Sequence, residues 1–272
     1  MLKSLPGLLL APVRLLYALW VALVFLVVGL AALLLLLGLP GVTRRRAAAR
    51  ALARLFLEGA GMPLRVVGAP LPAGQCVVAC NHASYLDGIV LTAALPPDFT
   101  FVIKREMAEV PLAGAALKRL GSQFVERSDR QRRAADARRV LRDATQGHSV
   151  VFFPEGTFTP TPGLLKFHLG AFVTAVRVGC PLVPAVLTGT RRALPPGGGL
   201  PRPGPITLEL LPALAAPPES DPHGVTGLRD AARAAILATL AEPDLTCCDD
   251  TGRPPDTERA RSAPVSTPSR SP

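Results

Sequence analysis

The chain has 272 residues, enough for one sizeable hydrophobic core with appendages or for two small domains. Its mean hydropathy of +0.34 is high for a purely soluble protein, and seven of its ten net positive charges precede the first acidic residue, Glu58. A basic stripe beside an apolar run points to a membrane surface, while 5% aromatic content without a zinc-finger or RNA-recognition signature argues against nucleic acid.

The first predicted element is the anchor. Residues 15–43 carry no charge, and roughly 20 apolar residues are enough to cross a bilayer. The run is too long for a cleaved signal peptide and is followed at once by Arg44, Arg45 and Arg46. It therefore reads as an uncleaved anchor, with the Arg44 to Arg54 cluster on anionic head groups and the main domain on the cytoplasmic side. Gly-Leu-Pro-Gly at 38–41 breaks the run, and an amphipathic basic helix follows with Leu52, Leu55 and Phe56 on one side. A single transmembrane helix and a re-entrant helical hairpin in one leaflet both fit this pattern.

From 63 to 243 short apolar runs alternate with helical patterns. Strands are expected at 76–80, 99–104, 122–126, 149–153, 182–187 and 206–211, and helices near 87–95, 110–120, 129–145, 169–179 and 224–241. This is the pattern of an α/β fold, a layered domain with a mostly parallel, mixed sheet flanked by helices. In helix 129–145, capped by Ser128 or Asp129, Val140, Leu141 and Ala144 point inward. Its six arginines, Arg130, Arg132, Arg133, Arg138, Arg139 and Arg142, read as a solvated face. Residues 195–205, rich in Pro and Gly, form a loop, and residues 244–272 read as a disordered tail. The organisation is thus an anchor at 1–62, a domain at 63–243 and a tail at 244–272.

The cysteines are Cys76, Cys80, Cys180, Cys247 and Cys248, an odd count that suits a reducing compartment. No Cys/His cluster has zinc spacing, so no metal is expected. The excess of Arg over Lys, alongside heavy Ala, Gly and Pro, follows GC-rich codons and suggests a bacterial source, hence the inner (cell) membrane.

Asn-His-Ala-Ser-Tyr-Leu-Asp at 81–87 leaves the apolar run 76–80. On one continuous helix His82 and Asp87 would point about 140° apart. They can meet only if His82 lies in the loop and Asp87 in the first turn of the next helix. Asp87 then fixes the imidazole tautomer and leaves the other nitrogen as a base; a helix cap beside a core histidine is the plainer alternative. Ser84 has no nucleophile-elbow motif, so the base would act on a hydroxyl brought by the substrate. Arg127, at a strand end, is a planar donor suited to phosphate, or an exposed residue before a helix. In Pro-Glu-Gly-Thr at 154–157, the Gly156 and Thr157 amides could cradle an anion, and Glu155 could hold a hydroxyl or a basic neighbour. Lys166 and His168 precede a helix, and Pro184 inside a strand pattern favours an edge or a bulge.

The ordered set 81–87, 121–127, 153–157 and 183–189 resembles the four motif blocks of the glycerolipid acyltransferase family, the HxxxxD acyltransferases that include the lysophosphatidic acid acyltransferases. The resemblance implies transfer of a fatty acyl group from acyl-CoA or acyl-carrier protein to a lysophospholipid hydroxyl, converting 1-acylglycerol-3-phosphate to phosphatidic acid. It implies His82 as general base with Asp87 as its partner. It assigns acceptor binding to Lys104, Gly121, Phe124, Arg127, Glu155, Gly156 and Thr157, and the acyl-donor region to Pro184. Partners would be membrane lipids and the thioester donor, with no metal and no bound cofactor. One departure stands out: the third block often continues with Arg or Lys, and here Phe158 and Thr159 follow Thr157. That leaves the acceptor head group open, with another lysolipid such as a lyso-ornithine lipid, or a membrane-anchored thioesterase or esterase, as alternatives.

Overall fold

In the computed structural model, residues 5–126 and 130–246 are described. Seven strands form one sheet in the order β1-β7-β6-β2-β5-β3-β4. They are β1 (Leu64–Gly68), β2 (Val77–Cys80), β3 (Phe99–Lys104), β4 (Gln123–Val125), β5 (Ser149–Phe152), β6 (Leu182–Thr188) and β7 (Ile206–Leu210). Every neighbouring pair is parallel except β6 with β7. β2 and β5 are buried at every position, which is why they read as unbroken apolar runs rather than as alternating ones.

Successive residues of each central strand supply opposite faces. Val78, Cys80, Val151, Val183 and Ala185 belong to one buried cluster, and Val77, Ala79, Val150, Phe152 and Leu182 to another. The first cluster takes in residues of α2 (Val42–Gly59) and α3 (Asp87–Ala94); the second takes in residues of α5 (Arg130–Thr145), α6 (Gly170–Val178) and α8 (Gly224–Thr239). The result is the expected layered α/β domain. The order of strands brings the C-terminal ends of β6, β2, β5, β3 and β4 to one edge, where open α/β sheets place their ligands.

The edge strand β1 was not visible in the sequence. Its residues after Leu64 are exposed, so it lacks a buried-strand signature. Two short helical turns, Arg105–Ala108 and α7 (Thr190–Ala193), were also missed. Helix α4 (Ala113–Arg119) starts later than the 110–120 pattern implied, because residues 110–112 form a separate turn.

Pro184 meets the bulge alternative of its expectation and not the edge one, since β6 is an interior strand. The proline is tolerated because it sits just past the β6–β7 ladder. Its carbonyl accepts from Leu211 at 2.9 Å, and the next bridge joins Leu182 to Leu214, one residue further along than regular pairing would place it. The missing N–H therefore falls where the ladder is already interrupted.

The N-terminal segment is a helical hairpin. Helix α1 (Leu5–Gly38) turns at residues 39–41 and packs along α2. The Tyr17 hydroxyl donates to Ala60 O at 2.6 Å, Trp20 Nε1 donates to Gly59 O at 2.9 Å, and the rings of Phe25 and Phe56 meet edge-on at 5.7 Å. Phe56, Leu57, Ala60 and Met62 are buried in the same cluster as the sheet, so hairpin and domain share a core and do not meet at a linker at 62. At the other end, the order continues past the expected boundary at 243, through residue 246. The rest of the tail lies outside the described residues.

The basic helix does not use its arginines as expected. Arg54 Nε donates to Ala93 O at 2.8 Å, Arg50 reaches Ala93 O and Ala94 O, and Arg45 donates to Leu39 O. Arg46 donates to Leu120 O at 2.9 Å, Thr100 Oγ1 at 2.8 Å and Asp98 O at 3.3 Å. Helices end with carbonyls that lack intrahelical partners, and these guanidinium groups satisfy them at the ends of α3 and α4. Arg45, Arg46, Arg50 and Arg54 thus serve the protein's own carbonyls, and Arg44 alone of the five is exposed without doing so.

Arg46→Ala leaves three acceptors to find new partners, and charged hydrogen bonds of this kind contribute roughly 1–3 kcal/mol net. Thermal unfolding of the full chain in detergent should show a lowered midpoint; an unchanged midpoint would mean that Arg46 does not hold the hairpin to the domain.

Candidate active site

β2 ends at Cys80, and the chain turns through 81–86 into α3. Asn81 closes the turn against β6: its Oδ1 accepts from Leu187 N at 2.7 Å and its Nδ2 donates to Leu187 O at 3.0 Å. Three residues on, Ser84 Oγ donates to Leu194 O at 2.8 Å and accepts from Leu86 N, which occupies the hydroxyl structurally.

Asp87 opens α3 and is fully buried. Its Oδ2 accepts from His82 Nδ1 at 2.7 Å, Ala83 N at 2.6 Å and Ser84 N at 2.9 Å. Its Oδ1 is buried with no hydrogen-bond partner in the protein. An ionised carboxylate only accepts, so the imidazole proton sits on Nδ1 and the lone pair on Nε2. The loop-then-helix geometry that the five-residue spacing required is thus the geometry found.

The imidazole is 18% exposed and lies among aromatic rings. Phe153 stacks on it at 4.1 Å between centroids, Phe158 meets it edge-on at 4.5 Å, and the exposed Tyr85 meets Phe158 at 4.8 Å. Phe158, the departure in the third motif, is therefore part of the wall around His82.

Glu155 follows β5 at the same sheet edge. Its Oε1 accepts from His82 N at 2.6 Å and its Oε2 from Leu165 N at 2.9 Å, so it fixes the backbone of the imidazole-bearing loop. Burial pushes its carboxyl up to about 8, with the two amide donors and Arg191 pulling against that rise. Gly156 has φ of 77° and donates its N–H to Phe153 O at 3.0 Å, closing the Phe-Pro-Glu-Gly turn. The Gly156 amide is therefore not available to cradle an anion, and neither are those of His82, Ala83 and Ser84.

The remaining predicted residues spread along the edge. Lys104 ends β3, half exposed, with Glu106 at 2.9 Å. Gly121 has φ of 73°, and a Cβ there would lie 3.1 Å from Arg46 Nη2, so glycine permits the close approach of α2. Phe124, in β4, lines a concavity of about 330 Å³ with Arg105, Lys118 and Arg139. Pro184 is buried in β6 opposite Ala79, away from the His82 ring's aromatic wall. Arg127 lies outside the described residues. Lys166 and His168 are exposed, and His168 N donates to Pro154 O at 2.8 Å, in the turn that carries Glu155. Among the described residues no group of three or more His, Cys, Asp or Glu side chains is placed to hold a metal ion.

Residues 63–188 match the family model described as Acyltransferase. This stretch, a little under half of the chain, is what resembles that family. The domain and its flanks are 30% identical over 157 residues to a 1-acyl-sn-glycerol-3-phosphate acyltransferase of Cocos nucifera, covering 57% of this chain and 51% of that protein. A chloroplastic enzyme of the same name from Brassica napus is 34% identical over 122 residues, covering 45% and 35%. One from Neisseria meningitidis is 32% identical over 136 residues, covering 47% and 52%. The chain thus spans about half or less of the length of these relatives. Among solved structures, the 1-acyl-sn-glycerophosphate (LPA) acyltransferase PlsC of Thermotoga maritima superposes with a TM-score of 0.67 at 20% identity, over 84% of this chain and 93% of that one, which shows a shared fold.

Sequence reasoning missed the supports of this site. Arg105 Nη2 grips both oxygens of the buried Asp136, which also takes Glu126 N and Arg139, so Arg139 belongs to a network and not to a free solvated face. Arg191 donates to Thr159 O and pairs with Glu242, whose Oε2 accepts from Gly163 N at 2.7 Å. Leu164 N donates to Pro243 O at 2.9 Å and Arg233 holds Leu164 O at 2.9 Å. Residues 242–245 therefore strap down the loop that carries Glu155. Apart from Asp136 with Arg139 and with Glu126, three and ten residues away, these partners are 31 to 79 residues apart in sequence, and no local pattern encodes them.

Because the folded chain holds the Glu155 proton more tightly than the unfolded chain, its contribution to stability is greatest below the ordinary value of 4.5 and is lost as pH rises to about 8. Unfolding free energies measured across that window should decline more steeply for the native chain than for Glu155→Gln. Parallel curves would show that Glu155 is ionised throughout.

Proposed function

We propose that the protein transfers a fatty acyl group from a thioester, acyl-CoA or acyl-carrier protein, to the free hydroxyl of a lysophospholipid, with 1-acylglycerol-3-phosphate as the leading acceptor. The observation that carries this reading is the 2.7 Å contact between His82 Nδ1 and a buried Asp87, which leaves Nε2 as a base at the ligand-binding edge of the sheet.

In this mechanism Nε2 takes the proton of the lysolipid hydroxyl as that oxygen attacks the thioester carbonyl. Asp87 stabilises the imidazolium through Nδ1–H. Collapse of the tetrahedral intermediate breaks the carbon–sulfur bond, and the imidazolium returns the proton to the departing thiolate. The ester and the free thiol are the products. No cofactor enters the balance.

Acceptor binding follows the strand order. At about 4.8 Å per strand, β3 lies about 10 Å and β4 about 14 Å from β2 along the edge. Lys104, the last residue of β3, suits a head-group phosphate while the hydroxyl reaches His82. Phe158 favours a second acceptor class: it puts an aromatic edge on His82 where the family pattern often carries a cation. Lysolipids without a free phosphate fit that wall better.

The hairpin suits a protein seated in one leaflet. Ala11–Gly38 is long and apolar enough to cross a membrane, with a mean hydropathy of 3.0. Yet α1 packs along α2, and α2 is bonded to α3 and shares the domain core. A fully spanning α1 would draw that core into the bilayer. We read the protein as embedded through the outer face of α1 on the cytoplasmic side of a bacterial inner membrane, where both donors are made.

A purified chain, presented with a lysolipid panel and both donors, should form a diacyl product detectable by mass spectrometry. His82→Ala should lower turnover by about 10²–10⁴-fold with the fold retained. Unimpaired transfer by that variant would refute the mechanism, and thioester loss without a lipid product would establish a hydrolase. Phe158→Arg should shift the panel toward 1-acylglycerol-3-phosphate, read as a lower KM for that acceptor relative to phosphate-free lysolipids.

A further inference from the structure

Between the turn Arg105–Ala108 and α4 the chain runs Val110-Pro111-Leu112. Leu112 is 68% exposed and Val110 is 42% exposed, although both are large apolar side chains. Leu112 is also the one non-glycine with positive φ among the described residues, at φ 61° and ψ −52°. Ala113 N donates to Pro111 O at 2.6 Å across it, which makes this the rare γ-turn with a positive central φ, a strained conformation for any residue with a Cβ.

The strain is held in place by its surroundings. Gly114 N donates to Val110 O at 2.8 Å and Ala116 N to Leu112 O at 2.9 Å. A Cβ on Gly114 would lie 2.3 Å from Ala108 O, so the backbone on either side of the turn is in contact. A leucine thus stands in a turn that glycine would occupy without strain, and most of it is left uncovered by the chain. Strain of this kind persists where the side chain's position is used.

The location names the use. The tip follows β3, whose C-terminal end shares the sheet edge with the His82 loop. Helix α4, which the turn introduces, packs against α1. The exposed face of α1 carries Leu15, Leu16, Leu19, Leu23, Leu26 and Leu30, so the tip is a second exposed apolar feature, on an element that packs against a helix of bilayer chemistry. The exposed Lys118 and Arg119, in the last turn of α4, add the charge that accompanies interfacial insertion.

We propose that Val110 and Leu112 form a second membrane contact, a rigid apolar tip that inserts among the lipid head groups beside α1 and turns the His82 edge of the sheet toward the bilayer. This goes beyond the acyl-transfer reading, since it concerns where the chain meets lipid and not what it catalyses.

The test has an arm that needs no turnover. The full chain, with Cys247→Ser and Cys248→Ser and a nitrobenzoxadiazole label on Leu112→Cys, is reconstituted into phosphatidylcholine/phosphatidylglycerol vesicles. The label should be blue-shifted and quenched by lipids carrying a shallow nitroxide. A label that stays in water, or one shielded equally in detergent by a second copy of the chain, overturns the proposal. The second arm uses Leu112→Gly, which removes both the strain and the apolar side chain. Its unfolding midpoint should rise by about 2–4 °C. Its KM for vesicle-presented acceptor should rise about tenfold, from the lost burial of one leucine, with activity on a micelle-free short-chain acceptor unchanged. Equal loss on both acceptors would mean that Leu112 shapes the site itself, and no loss on vesicles would mean that the tip does not touch lipid; either result refutes the proposal. If no acceptor is turned over at all, the acyl-transfer reading fails while the labelling result still stands.

Discussion

One buried carboxylate organises this molecule's active edge. Asp87 Oδ2 gathers His82 Nδ1, Ala83 N and Ser84 N onto a single oxygen. It does so from the first turn of α3, where the helix N-terminus favours negative charge. A buried carboxylate without donors would be strongly destabilising, so the loop has little choice but to fold back onto it. Asn81 and Glu155 act in the same sense from other strands, pinning the residue before the imidazole to β6 and the imidazole's own amide to the β5 loop. The base is therefore oriented by its backbone as much as by its ring partner. This is the preorganisation that catalysis by a single positioned proton acceptor requires.

The architecture was legible because its physics is local. Strands buried on both faces give short, uninterrupted apolar runs, and the helices between them show a helical period, so the six central and flanking strands and the five main helices fall close to where the pattern puts them. The His82–Asp87 pairing was legible for a different reason: a five-residue spacing admits contact only across a loop-to-helix junction. What the sequence hid is what depends on remote partners. Gly156 looked like an anion-binding amide until its turn used that N–H. Pro184 read as either an edge or a bulge because the interruption opposite it, at Leu211 to Leu214, belongs to another segment. Edge strand β1 buries too little to leave a signature.

The arginines of α2 make the same point in terms of charge. Seen along the chain, a basic cluster after an apolar run belongs on head groups. Seen in space, Arg46, Arg50 and Arg54 face helix C-termini whose carbonyls have no other partners. The guanidinium fork suits that task, because it offers several donors in a fixed plane while its charge complements the negative end of the helix dipole. The consequence is mechanical. The hairpin is fastened to the domain by polar contacts on one side of α2 and by the shared apolar core, so the exposed face of α1 and the His82 edge move as one body.

That coupling bears on how a base of this kind would discriminate between acceptors. An imidazole able to deprotonate a lipid hydroxyl can also deprotonate water, which is present at far higher concentration. Two features of the structure act against the second reaction. Phe153 and Phe158 cover much of the His82 ring, leaving it 18% exposed, so few waters can reach Nε2 at once. On the proposed reading the acceptor, by contrast, is a membrane lipid met at a surface to which the site is fixed. A cation at position 158 would attract both phosphate and its hydration shell to the imidazole. An aromatic residue there gives up some electrostatic grip on the acceptor and keeps the base drier. In a site that must choose between a dilute lipid and abundant water, that exchange favours transfer over hydrolysis.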